Sequence, residues 1–237
     1  MIYTVLADYR RLFCEITDKE GGISSPFSLF PESLRDYVRG PKTDEGRLAR
    51  LGGYLLLYHT VRFLFGKARF EIGFSEKGKP YFLSEDMKDL SFSISHSGGI
   101  CAVSVSDGGE SVGVDVQEEI DEERCERIRE RLYSGELSTG RLLNTVYLFG
   151  GFSAYGDCMF AEIPPAALKI GDTGCDLTDR WTLTEAIMKW DGRGFGAYTE
   201  LDSLAKESYS ETLRLSYKGK RYSISTVYGE SNYQTDD

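Results

Sequence analysis

Between positions 91 and 117 the chain makes three strand-like runs in quick succession, 91–95, 100–106 and 111–117. Asp107-Gly108-Gly109 reads as a hairpin turn between the second and third. An opening strand covers 2–6, a short alternating strand 70–74, and a final hairpin joins 213–216 to 222–227 across Lys218-Gly219. Two helices stand out among these strands. One begins at Asp44, which caps it, carries Leu48, Leu51, Leu55 and Tyr58 on one face, and ends at Gly66. The other covers 182–190, buries Leu183, Ile187 and Trp190, and stops at Gly192 and Gly194. A charged helix is expected over 124–132, while 135–174 gives only weak strand signals. Strands mixed with a few helices, without a regular βαβ series, make the class α+β.

Charge narrows the partners. The 237 residues carry a net charge of −10, which excludes nucleic acid as an expected ligand because phosphate binding needs positive potential. The balance reverses locally: 31–69 holds 8 Lys or Arg against 4 Asp or Glu, a candidate docking stretch for an anion or acidic partner. The longest apolar run, 51–65, is broken by His59 and Arg62, so no membrane span is expected. Five scattered cysteines (Cys14, Cys101, Cys125, Cys158 and Cys175) and no leader-like start suggest reduced thiols in a cytoplasmic protein.

Several residues could carry chemistry. On a strand, residues two apart share a face at roughly 6–7 Å, so Asp115 and Gln117 project together while Val114 and Val116 enter the core. Gly113 on the Asp115 face leaves space for a ligand to approach the backbone. A carboxylate beside an amide oxygen suits a hard cation such as Mg²⁺. An Asp capping a turn is the plainer alternative. Glu185 and Lys189 lie four apart on one helix face, as a surface ion pair or as a metal ligand beside a phosphate-binding cation. Ser93, Ser95, His96, Ser97 and Gly98 at a strand end supply donors for phosphate oxygens. Ser and His adjacent on a strand point to opposite faces, so they form no nucleophile–base pair.

In order, Gly78-Lys79-Pro80, Phe92-Ser93-Ile94-Ser95-His96-Ser97-Gly98, Gly113-Val114-Asp115-Val116 and Trp181-Thr182-Leu183-Thr184-Glu185-Ala186-Ile187-Met188-Lys189 resemble the surfactin-type 4'-phosphopantetheinyl transferases. The resemblance is dense over 78–117 and 181–196. It implies two similar α/β subdomains related by a pseudo-twofold, near 1–115 and 116–237, with coenzyme A between them. It implies that Asp115, Gln117 and Glu185 surround Mg²⁺, that Lys79 and Pro80 lie near the adenine, and that Arg47, Ser95 and His96 lie near the coenzyme's phosphates. Lys189 would reach the pyrophosphate. The implied activity is Mg²⁺-dependent transfer of phosphopantetheine from coenzyme A to a serine of an acyl or peptidyl carrier protein, by a monomer. Gln117 stands where the family has glutamate, and the second reading is a member that binds coenzyme A or carrier protein without catalysis.

Overall fold

The computed structural model describes residues 1–11, 30–67, 69–129, 132, 135, 145–152, 158–162 and 176–230. Its elements, in chain order, are β1 (Ile2–Asp8), α1 (Glu32–Arg39), α2 (Asp44–Phe65), β2 (Ile72–Phe74), β3 (Pro80–Phe82), β4 (Ser91–Ser97), β5 (Ile100–Ser106) and β6 (Ser111–Glu118). There follow α3 (Glu122–Ile128), β7 (Thr145–Phe152), β8 (Cys158–Glu162), α4 (Asp176–Asp191), α5 (Leu201–Glu207), β9 (Tyr209–Tyr217) and β10 (Lys220–Gly229). One sheet has the order β4-β5-β1-β7-β8, a second β6-β10-β9, and β2 and β3 form a small ribbon. The protein is α+β. All pairs are antiparallel except β1 with β7.

Period-2 alternation builds the layers. On β1 and β5, Val5, Ala7, Cys101, Val103 and Val105 face α2, where Leu51 and Leu55 are buried with them. The opposite faces, through Leu6, Ile100 and Ala102, meet Val114, Val116, Leu213 and Ile224 of the second sheet. Beyond the second sheet lies α4, whose Leu183, Ile187 and Trp190 cluster with Val227, Leu201 and Leu204. The order is helix, sheet, sheet, helix. Each sheet contains a strand, then a long helix, then a hairpin whose second strand pairs antiparallel with the first: β1, α2, β4–β5 in one and β6, α4, β9–β10 in the other. The position after Asp115, where the resemblance implies a boundary, falls inside β6.

Two local expectations are corrected. Asp107-Gly108-Gly109 is not a hairpin turn: both edges of β5 are taken, by β4 and β1, so β6 crosses to the second sheet. The hairpin is β4–β5, closed by Gly98 (φ 58°) and Gly99 (φ 103°), a pair of positive φ values that matches strand twist. Helix α2 is capped by Thr43, not Asp44; the Thr43 Oγ1 accepts from the Gly46 N–H at 3.1 Å, and Asp44 takes the first helical position. Strands β7 and β8 occupy part of the stretch with weak signals, where Gly150 and Gly151 interrupt the alternation. Cys101 is a buried free thiol. Among the described residues no helix is long and apolar enough to cross a membrane.

His59 on α2 predicts a pH response. Burial, with Arg62 nearby, brings its imidazole down to about 4. The unfolded chain therefore binds a proton that the folded chain refuses between about pH 6.5 and 4. Stability is expected to fall by about 2 kcal/mol as pH drops across that window, and His59→Gln should flatten the dependence. Urea midpoints at pH 7, 5.5 and 4.5 measure it; parallel curves for both proteins would contradict it.

Candidate functional site

The four serines of β4 recur every second residue and share one face, and three of them, Ser93, Ser95 and Ser97, accept from the backbone of β6. Ser93 Oγ accepts from the Val114 N–H at 3.0 Å, Ser95 Oγ from Val116 at 3.2 Å and Ser97 Oγ from Glu118 at 3.0 Å. Side-chain hydroxyls thus take the place of strand carbonyls and join the two sheets. Ser95 is buried in this ladder and also donates to Asp115 Oδ1 at 2.6 Å. It positions Asp115 instead of lining the cleft beyond.

That cleft has a volume of about 320 Å³, and its lining includes Tyr54, Lys79, Pro80, His96, Glu185 and Lys189. Helix α4 reaches it because Gly113 lets the helix rest on the β6 backbone. A Cβ there would lie 2.1 Å from the Ala186 carbonyl oxygen and 2.4 Å from the Trp190 nitrogen. The space read from the sequence as a ligand approach is filled by α4. This contact brings Lys189 Nζ to 2.7 Å from Asp115 Oδ1 and 3.2 Å from the Val114 carbonyl oxygen. Asp115 is only 6 % exposed, so the pair is held in a weakly screened place.

One turn before Lys189, Glu185 lines the same cleft. Its carboxyl is pushed up by burial and then by Asp115, against the smaller pulls of Lys189 and Arg124. Gln117 is engaged elsewhere: its Nε2 donates to Ser97 Oγ at 3.0 Å and the Glu118 carbonyl at 2.9 Å, and its Oε1 accepts from Arg124 Nη2 at 3.3 Å. Asp115 and Glu185 therefore converge, while the amide oxygen of Gln117 is already taken.

The cationic residues divide in the same way. Arg47 stays outside the lining, bound to Asp44 Oδ1 at 2.7 Å and the Pro41 carbonyl at 2.9 Å. One turn further along α2, Arg50 lines the cleft, donates to the Tyr37 carbonyl at 2.7 Å and lies 4.3 Å over the Tyr37 ring. The sequence reading missed it, although its spacing of three from Arg47 puts it on a neighbouring surface of the same helix. His96 opens into the cleft; partial desolvation, then Lys189 and Arg50, holds its imidazole below the ordinary value. Lys79 turns its ammonium to the Trp190 carbonyl and Ser111 Oγ, each at 2.7 Å, and burial draws it down to about 8 against the pull of Asp191.

Among the described residues no group of three or more His, Cys, Asp or Glu gathers as a metal site. Mg²⁺ needs only one or two carboxylates when substrate phosphates complete its shell. Two mutually repelling carboxylates, one of them forced upward, form a donor set that such a cation relieves. Asp115 and Glu185 fit the ion.

Because its folded value is raised, ionised Glu185 costs stability at neutral pH, and that cost fades as pH falls towards the ordinary carboxylate range. Glu185→Gln is therefore expected to stabilise the metal-free protein by up to about 1 kcal/mol at pH 7, with no gain at pH 4. Thermal denaturation in chelator tests this, and a lower midpoint for the variant at pH 7 contradicts it. The amino-acid sequence matches no protein-family model and no curated protein.

Proposed function

We propose that this protein transfers the 4'-phosphopantetheine arm of coenzyme A to a serine hydroxyl of an acyl or peptidyl carrier protein. The observation that carries the reading is the Asp115–Lys189 contact, between residues 74 positions apart, at the wall of a cleft also lined by Lys79, Pro80, His96 and Glu185. Four motifs far apart in the chain meet at one place. The repeated strand, helix and hairpin order supports two subdomains related by a pseudo-twofold, the second opening at β6 and β7–β8 extending the sheet of the first.

The chemistry follows from the side chains. Lys189 and Arg50 bring positive groups to the cleft for the diphosphate of coenzyme A, His96 adds a neutral imidazole N–H donor, and Asp115 orients the Lys189 ammonium. Mg²⁺ held by Asp115 and Glu185 would neutralise phosphate charge. The carrier serine oxygen forms a bond to the β-phosphorus, and the bond from that phosphorus to the leaving 3',5'-adenosine bisphosphate breaks. Glu185, its carboxyl raised by burial, is suited to accept the serine proton.

Incubating apo carrier protein with coenzyme A, Mg²⁺ and the enzyme should add one phosphopantetheine, read by intact-mass spectrometry. The Gln117–Arg124 contact favours a second reading, binding without transfer. Calorimetric binding of coenzyme A with no mass gain on several acyl and peptidyl carriers would select it. Absence of binding overturns both.

A further inference from the structure

We propose that Lys79 is a positioning residue, a strut that holds the carboxy-terminal end of α4 against β6 and so keeps Lys189 and Glu185 in register with Asp115. Lys79 belongs to a tight turn. Its backbone N–H donates to Ser75 Oγ at 3.0 Å, its carbonyl accepts from the Ser75 N–H at 2.9 Å, and Gly78 takes φ 84° between them. From this fixed base its side chain crosses 111 positions of sequence to the Trp190 carbonyl at 2.7 Å, and it also donates to Ser111 Oγ at 2.7 Å. Ser111 Oγ closes the triangle by donating to the same Trp190 carbonyl at 2.8 Å.

The acceptor explains the arrangement. Trp190 lies in the last turn of α4, where carbonyls lack helical partners and the helix dipole favours a cation. An ammonium there satisfies the carbonyl and fixes the helix end. Trp190 is held on its other side, its indole Nε1 donating to the Gly229 carbonyl at 3.2 Å. Lys189 is the preceding residue, and Glu185 is one turn back. A small slide of α4 along β6 would pull Lys189 away from Asp115, and Lys79 opposes that slide. Two of the three ammonium protons of Lys79 are committed to the helix end and β6 rather than to a ligand in the cleft.

The inference rests in part on the transferase reading, so the test has one arm that is independent of activity. In a double-mutant cycle on urea unfolding, Lys79→Met and Ser111→Ala should be non-additive, because they share the Trp190 carbonyl. In the transfer assay, Lys79→Met should lower kcat by about 10- to 100-fold while KM and the calorimetric Kd for coenzyme A stay within about threefold. Lys79→Arg should restore part of kcat. Additive unfolding energies overturn the strut. So does a loss of coenzyme A affinity of about tenfold or more with kcat intact, which makes Lys79 a nucleotide contact. Should Lys79→Met not fold, Lys79→Gln replaces it with the same criteria. Coupling in the cycle with no transfer by the wild-type protein supports the strut and counts against the transferase reading alone.

Discussion

Gly113→Ala is expected to destabilise the protein by about 3–5 kcal/mol, enough to leave much of the chain unfolded at 37 °C. The added methyl carbon would lie 2.1 Å from the Ala186 carbonyl oxygen, 2.4 Å from the Trp190 nitrogen and 2.9 Å from the Trp190 Cα. All three are backbone atoms of α4, so no side-chain rotation relieves the overlap. Either β6 or α4 must move. Strand β6 is held by its ladder to β10 on one side and by the serine hydroxyls of β4 on the other. Helix α4 is the element that shifts, and it carries Lys189 away from Asp115 and Trp190 away from Lys79. Urea denaturation followed by circular dichroism measures the loss. A change below about 1 kcal/mol would show that helix and strand are less closely seated than their contact requires.

The second large effect falls on activity. Asp115→Asn keeps the side-chain volume and can still accept a hydrogen bond, but removes the charge beside Lys189 and one of the two carboxylates proposed to hold Mg²⁺. On the proposed transferase reading, transfer to carrier protein should fall by about 10³-fold or more, because electrostatic stabilisation of phosphoryl transfer depends on both. Stability should change less, by about 1–3 kcal/mol, the cost of leaving a half-buried ammonium without its counter-ion. The double variant Asp115→Asn with Lys189→Met should recover part of that stability and none of the activity, since it removes the stranded charge but not the need for it. Retained transfer in Asp115→Asn would remove Asp115 from the chemistry.

The unequal legibility of the site has a physical cause. Asp115, Glu185 and Lys189 could be picked from the sequence because a strand repeat of two and a helix repeat near four fix which side chains share a face. Their meeting was not deducible from either repeat. Arg47 and Arg50 show the limit well. Both sit on α2, three residues apart, and only packing of the helix against β4 and β5 determines that Arg50 enters the cleft while Arg47 folds back onto Asp44. Ser95 shows another: a hydroxyl on an alternating strand looks available for phosphate until β6 arrives beside it and supplies Val116 and Asp115 as partners.

Local chemistry in the sequence therefore determined the α+β class, the strands at 100–106 and across Lys218-Gly219, and the buried face of α4, because these depend on alternation, turn glycines and helix spacing among near neighbours. Tertiary structure alone decided that β5 and β6 part into separate sheets, that Gly113 admits a helix instead of a ligand, and that Lys79 faces the end of α4. Each of those outcomes turns on which distant segment occupies a free edge, face or carbonyl, and competition between distant segments leaves no periodic trace along the chain.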